Sequence, residues 1–298
     1  MIRVGTCSWA DESFVKAYYP KGVDKLRHYA ERFDTVEANS TYYRLPDEQL
    51  VAGWAEKLPE GFVMHVKAFG LMTRHPVKAE VLPDDLRELM PVDERGRVDR
   101  PSREARAEVF KRFLAALEPL RAAGKLGGIL MQMAPYVVPK EASYDYLAWA
   151  REQLDGYDVL VEFRHKAWFE EPDEPLRFLE EHRMTYVTVD APVFPLVVAR
   201  TSPTAYVRFH GRNAATWYKR TGSTAERFDY LYSEQELAEW AGTVRGLEAD
   251  GAQVYAMFNN NGRSTVNEVP KNLLGELEGE IVAQAPTNAA MLKELLAA

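Results

Sequence analysis

Apolar and polar positions alternate with a period of two in eight short runs along the chain, and stretches of helical period separate most of them. The runs are IRVGTCSW from Ile2, FDTVEANS from Phe33, FVMHVKAF from Phe62, GGILMQM from Gly127, VLVEFRH from Val159, TYVTVD from Thr185, AYVRFHG from Ala205 and VYAMFNN from Val254. Each is rich in β-branched or aromatic residues and reads as a strand.

The intervening stretches carry apolar stripes and recognisable helix ends. Val23, Leu26, Ala30 and Phe33 follow a helical period, and Asp47 after Pro46 caps a helix expected to bury Leu50, Trp54 and Leu58. The long helix after Ser102 carries Val109, Phe113, Leu117 and Leu120 on one face. Ser233 and Glu236 form a capping box ahead of Leu237, Trp240, Val244 and Leu247. Between the sixth and seventh strands, APVFPLVVARTSPT has three prolines, so the sixth helix is expected to be missing or vestigial. Strand–helix alternation implies a parallel sheet, and eight repeats predict an α/β fold of the closed (β/α)8 TIM-barrel type, a single domain over residues 1–298. The glycine fingerprint of a dinucleotide-binding sheet and the P-loop are both missing from the sequence, which names no cofactor.

Strand parity then sorts the polar residues, because successive side chains point to opposite faces. Val161 and Phe163 share one face, Glu162 and Arg164 the other; Glu37 and Asn39, His65 and Lys67, and Arg208 and His210 split from their apolar neighbours in the same way, and Gln132, Asp190 and Asn259 follow. The outer face of a barrel packs on helices, so the polar set is expected to point inward, near the C-terminal strand ends where this fold keeps its chemistry. A bland alternative is a mutually satisfied network of Glu37, Glu162 and Asp190 with Lys67, Arg164 and Arg208 that only fixes register. Clustering at one end favours a site.

Composition narrows the partners. The chain has 298 residues, 46% of them apolar, enough for a large core. A net charge of −8 argues against broad coating of nucleic acid or anionic membrane, although Arg74, His75, Lys78, Arg212, Lys219, Arg220 and Arg227 gather after strands three and seven. One cysteine excludes an internal disulfide, and with no signal-like or membrane-length segment the expectation is a cytoplasmic protein without membrane association. Cys7 itself reads as a small buried apolar residue, and His28 and His182 as surface residues of helices.

Several motifs together resemble the YecE-like family, a domain-of-unknown-function family with a barrel fold. They are GTCSW, VEANSTYYRLP at 36–46, VKAFGLMTRHP at 66–76, VEFRHKAW at 161–168, VRFHGRN at 207–213, FDYLYS at 228–233 and FNN at 258–260. The resemblance implies a barrel and supports the positions of the pocket residues, but it brings no activity with it. The chain departs from the family pattern at Ser8, where glycine is usual. It also departs after FNN, where an insertion between Asn261 and Thr287, containing Pro270 to Ile281, is expected to add a helix before NAAMLKELL at 288–296.

The leading expectation is an acid–base enzyme for an anionic, phosphorylated or carboxylated small molecule. Lys67, Arg164 and Arg208 would clamp the anion, Glu37 and Glu162 act as acid and base, and His210 shuttle a proton, with Asn39, Gln132, Asp190, Asn259 and Trp168 lining the site. A metal-dependent isomerase or phosphodiesterase-like hydrolase is an alternative, with Glu37, Glu162, Asp190 and His210 as ligands, but the nearby cations compete for those carboxylates and no metal is expected. A non-catalytic nucleotide or nucleic-acid binding module is the other alternative, with Trp9, Tyr42, Tyr43, Trp168, Trp217 and Tyr218 as stacking candidates. The segments from Gly70 to Arg100 and from Gly211 to Tyr232 are long for barrel connections and are expected to fold over the strand ends as a lid.

Overall fold

The eight alternating runs form strands β1 (Ile2–Thr6), β2 (Thr35–Ala38), β3 (Val63–Lys67), β4 (Leu126–Gln132), β5 (Val159–Glu162), β6 (Thr185–Asp190), β7 (Thr204–Phe209) and β8 (Gln253–Phe258) of a computed structural model. They hydrogen-bond in chain order, and the order closes: β8 pairs with β1 in parallel, from Ile2 opposite Val254 to Thr6 opposite Phe258. This is the closed parallel (β/α)8 barrel that the alternation predicts. The structure describes residues 1–217, 224–265 and 281–298. By internal packing the chain divides into two compact units, Met1–Glu37 with Tyr186–Ala298, and Ala38–Thr185.

In the first unit, helices α1 (Glu12–Ala17) and α2 (Lys25–Ala30) follow β1, α8 (Ala214–Trp217) and α9 (Glu234–Glu248) follow β7, and α10 (Gln284–Ala297) ends the chain. Asp24 caps α2 by accepting from the amides of Leu26 and Arg27, so the helix begins two residues after Val23, which is exposed; the buried stripe is Leu26, Tyr29 and Phe33. The capping box at Ser233 and Glu236 forms as expected, and α9 buries Leu237, Trp240 and Val244. No helix stands between β6 and β7. Beyond β8, Arg263–Thr265 and Ile281–Ala283 pair antiparallel as β9 and β10, Gln284 to Thr287 already form the first turn of α10, and residues 266–280, where the insertion is expected to add a helix, lie outside the described residues.

In the second unit, α3 (Glu48–Lys57), α4 (Asp84–Arg87), α5 (Arg103–Ala122), α6 (Glu141–Gln153) and α7 (Asp173–Glu181) accompany β3 to β5. Asp47 caps α3, and Trp54 and Leu58 are buried as expected, but Leu50 is exposed and Val51 and Ala55 complete the core-facing stripe in its place. The predicted face of α5 is buried. Where β3 meets β4 the register shifts between Met64 and Val66, and β4 answers with Gly127 and Gly128 opposite His65. The irregularity frees the amide of Gly128, and the imidazole Nδ1 of His65 accepts it at 2.9 Å. A Cβ on Gly127 would come within 2.6 Å of that ring, so the glycine is required by the histidine.

Register decides which side chains share a face, since residues paired across a parallel ladder point the same way. Phe209 pairs with Phe258 and stacks on it at 4.4 Å, and it also meets Trp240 of α9 edge-on, which marks the helix-covered face. Arg208, paired with Met257, therefore points into the barrel. In the second unit Gln132 pairs with Glu162 and Lys67 with Leu130, on the face opposite Val66, Ile129 and Val159.

Candidate functional site

In the first unit the inward residues form a closed polar cluster. Arg208 donates from Nη2 to Oε1 of Glu37 at 2.6 Å, and the phenol of Tyr206 donates to the other carboxylate oxygen at 2.9 Å. Strands β2 and β7 are not neighbours in the sheet, so these bonds cross the interior rather than run along a ladder. Glu37 and Arg208 have no exposure, and burial drives the Tyr206 phenol well above its ordinary range, followed by the repulsion of Glu37. One strand-residue pair further along, the Asn259 amide and Nδ1 of the fully buried His210 lie 2.9 Å apart, and the His210 ring is bordered by Phe228 at 5.7 Å and Trp217 at 6.4 Å. Glu37 and Arg208 thus hold each other, His210 is held by its neighbours, and none of the three offers exposed surface to a ligand.

Asp190 departs from the parity expectation. It pairs in register with Phe209, not with Arg208, so its side chain stands on the helix-covered face. There it accepts from the Trp240 indole at 3.0 Å and from Nε of Arg212, at 3.1 and 3.0 Å to its two oxygens. Arg212 also reaches Glu236, which accepts from the Tyr230 phenol at 2.7 Å. Asp190 anchors α9 and the loop after β7 and does not belong to the inward set. Its partner Arg212, one of the gathered basic residues, has its charge balanced by two carboxylates.

The second unit brings a different group together at the ends of β3, β4 and β5. Glu162 is fully buried and accepts at Oε1 from both Gln132 Nε2 and Arg164 Nη1, each at 2.9 Å. Gln132 and Arg164 are half-buried and connect that buried carboxylate to solvent, and Lys67 on β3 is half-buried as well. Lys67 lies over the ring of Tyr42, Nζ at 4.3 Å from its centroid. Asn39 opens the short turn Ser40–Tyr42 that carries this ring, and Thr41 pins the turn to the Lys67 carbonyl at 2.5 Å. Burial, then the neighbouring Tyr43 and Tyr136, push the Tyr42 phenol up to about 12.

His75, which by sequence counts only among the basic residues after β3, completes this cluster. The chain leaves β3 through a tight turn, Gly70–Thr73, then passes Arg74 in the left-handed conformation at φ 66°. The His75 amide returns to the Gly70 carbonyl at 2.9 Å, its ring meets Tyr42 edge-on at 5.1 Å, and Nδ1 lies 2.9 Å from the Thr73 hydroxyl. Burial, then the charges of Lys67 and Arg164, push the imidazole down from 6.5 to about 4, against a smaller opposite pull from Glu162. It is therefore neutral at physiological pH and is no phosphate-binding cation. The Thr-x-His spacing just past a strand end is visible in the sequence, but it does not say that the turn brings the ring beside the two cations.

Other expected site residues have structural roles. Trp168 is buried, stacks on Phe163 at 4.0 Å and donates its indole N–H to the Val137 carbonyl at 2.7 Å, so it packs the outer face and cannot line the site. His28 and His182 are half-buried against aromatic rings rather than on the surface. Cys7 is buried, as expected. Tyr218, Lys219 and Arg220 lie outside the described residues. Among the described residues no three His, Cys, Asp or Glu side chains are grouped to hold a metal ion. No helix among them is long and apolar enough to cross a membrane.

The motifs FNN, FDYLYS and NAAMLKELL meet in one buried knot. The side chain of Asn288 on α10 accepts the Tyr232 amide at 3.0 Å and donates to the Tyr232 carbonyl at 2.9 Å, pairing with the backbone as a strand would, and it also accepts from Asn260 at 2.8 Å. Gln284 accepts the Tyr230 amide at 3.0 Å and donates to the Asp229 carboxylate at 2.8 Å. This part of the shared sequence fastens the final helix to the segment ahead of α9.

Comparison with known proteins agrees with the motif resemblance. The family model described as "Protein of unknown function DUF72" matches residues 3–290, and the chain belongs to that family. It is 29% identical to the UPF0759 protein YunF of Bacillus subtilis, over 96% of this chain and 98% of that one. A crystal structure of a DUF72 family protein from Thermotoga maritima superposes with a TM-score of 0.74 at 29% identity, covering 100% of both chains. One from Enterococcus faecalis reaches 0.76 at 23% identity, covering 100% of this chain and 96% of that chain, which bears on the fold alone.

Proposed function

We propose that the protein is an acid–base enzyme that binds an anionic, phosphorylated or carboxylated small molecule at the ends of β3, β4 and β5. The observation that carries this reading is a contrast in exposure: Glu162 is wholly buried, while its partner Arg164 and the Lys67 of β3 keep an edge in solvent. Arginine presents a planar fork suited to carboxylate or phosphate, and Glu162 fixes the orientation of that fork as well as of the Gln132 amide. Lys67, steadied over Tyr42, adds a second positive charge. Glu37, Arg208 and His210 leave the proposal as ligand contacts, because their side chains are buried and engaged with one another or with adjacent residues.

Two measurements test it. Titration of inorganic phosphate followed by amide NMR should move resonances of Arg164, Lys67 and Gln132, and Arg164→Met or Lys67→Met should each weaken binding roughly tenfold or more, as expected for a lost hydrogen bond to a charged group. Turnover is then sought across phosphorylated metabolites and hydroxy acids. Phosphate binding that is absent, or that survives both substitutions unchanged, overturns the assignment.

A further inference from the structure

The imidazole of His75 bears on what kind of anion this site accepts. The inference rests on the reading just given, since it concerns the same site. The Thr73 hydroxyl has one hydrogen, and the Gly70 carbonyl lies 3.2 Å from it as an acceptor. Spending that hydrogen on Gly70 makes the Thr73 oxygen the acceptor of Nδ1–H of His75, 2.9 Å away, whereas turning it to the ring would put the imidazole proton on Nε2. A neutral imidazole protonated at Nδ1 carries a lone pair at Nε2, on the side of the ring away from Thr73. Tyr42 meets the ring edge-on and carries Lys67 on its own face, and the charges of Lys67, Arg164 and Glu162 all act on the imidazole, so His75 stands in the same cluster as these groups. His75 is half-buried and remains reachable.

We propose that His75 is a specificity-determining residue: its unprotonated Nε2 accepts a hydrogen from the ligand, so the site selects oxyanions that carry a donor beside their charge. Hydrogen phosphate and carboxylates bearing an adjacent hydroxyl are of this class. Sulfate has the same shape and no hydrogen at neutral pH, so it would set its oxygen against the lone pair. Two cations attract either anion; the acceptor in their cluster tells the two apart. Burial and the charges of Lys67 and Arg164 keep the ring deprotonated, and the groups facing it are Lys67 on β3, Glu162 and Arg164 at the end of β5, and Tyr42 on the turn after β2.

The test compares inorganic phosphate with sulfate on the full chain at pH 7 by calorimetry, in the wild type, Thr73→Val and His75→Phe. Phosphate should bind about tenfold more tightly than sulfate in the wild type, the worth of one made against one unmade hydrogen bond. Thr73→Val leaves the imidazole but releases its tautomer, so the ratio should fall towards one, as it should in His75→Phe. Side-chain nitrogen NMR should find the His75 proton on Nδ1. Equal binding of the two anions by the wild type, or a proton on Nε2, overturns this inference and leaves the anion site standing. Failure of both anions to bind overturns the anion site as well. Unfolding of His75→Phe would leave Thr73→Val and the tautomer measurement to decide.

Discussion

Arg208 on β7 meets Glu37 on β2 at 2.6 Å across two intervening strands of the closed sheet, with neither side chain exposed. A pair of this kind is costly to desolvate, and breaking it leaves one buried charge without its counterion. Glu37→Gln or Arg208→Met should therefore destabilise the protein by about 3–5 kcal/mol in urea unfolding, whereas Glu37→Leu with Arg208→Met together should restore much of that loss. Single variants within about 1 kcal/mol of the wild type would show that the pair contributes little to stability.

The Asn288 knot makes a separate prediction about the shared motifs. Removing the side chain leaves the Tyr232 amide and carbonyl buried without their partners. Asn288→Ala should lower stability by roughly 2–4 kcal/mol on the scale of two unmet backbone groups, and hydrogen exchange at Tyr232 should accelerate first. Unchanged exchange there would mean that the segment is held by other contacts.

His75 gives stability a dependence on acid. Its folded pKa, about 4, lies below the ordinary 6.5, so between these values the unfolded chain binds a proton that the folded chain refuses. Stability then rises with pH, is fully present above about 6.5, and is lost as pH falls through 4. His75→Gln should flatten that part of a melting-temperature profile measured from pH 7 to pH 4. An equal slope in the variant would assign the acid sensitivity elsewhere.

Salt separates a compact anion from a nucleic-acid backbone. Two cations holding one small anion predict a shallow decline of phosphate binding with salt. Oligonucleotide binding that is tight, falls steeply with salt and survives Arg164→Met would instead favour the nucleic-acid alternative, with a slope that drops by about one for each phosphate-contacting cation removed.

How much of this was legible beforehand differs between backbone and side chains. The strand runs, their order and the missing sixth helix follow from local chemistry, because period-two alternation and proline act on the residues that carry them. Parity correctly turned Glu162, Gln132 and Arg208 inward. It failed at Asp190, because register between β6 and β7 pairs that residue with Phe209, and register is a property of two strands rather than one.

The same division runs through the candidate site. Lys67, Gln132, Glu162 and Arg164 could be gathered from sequence because each sits at a strand end, where position along the chain implies position in space. Trp168 and His75 could not. The first lies past a strand yet folds back onto the outer face, and the second is placed by a turn whose course depends on a left-handed Arg74 and on hydrogen bonds to Gly70 and Thr73. Sequence by itself determined the barrel and the residue types at its strand ends, since these rest on short-range periodicity. Only the tertiary structure decided which charges are spent on one another, as in Glu37 with Arg208, and which keep an edge in water, because burial and pairing are set by residues far apart in the chain.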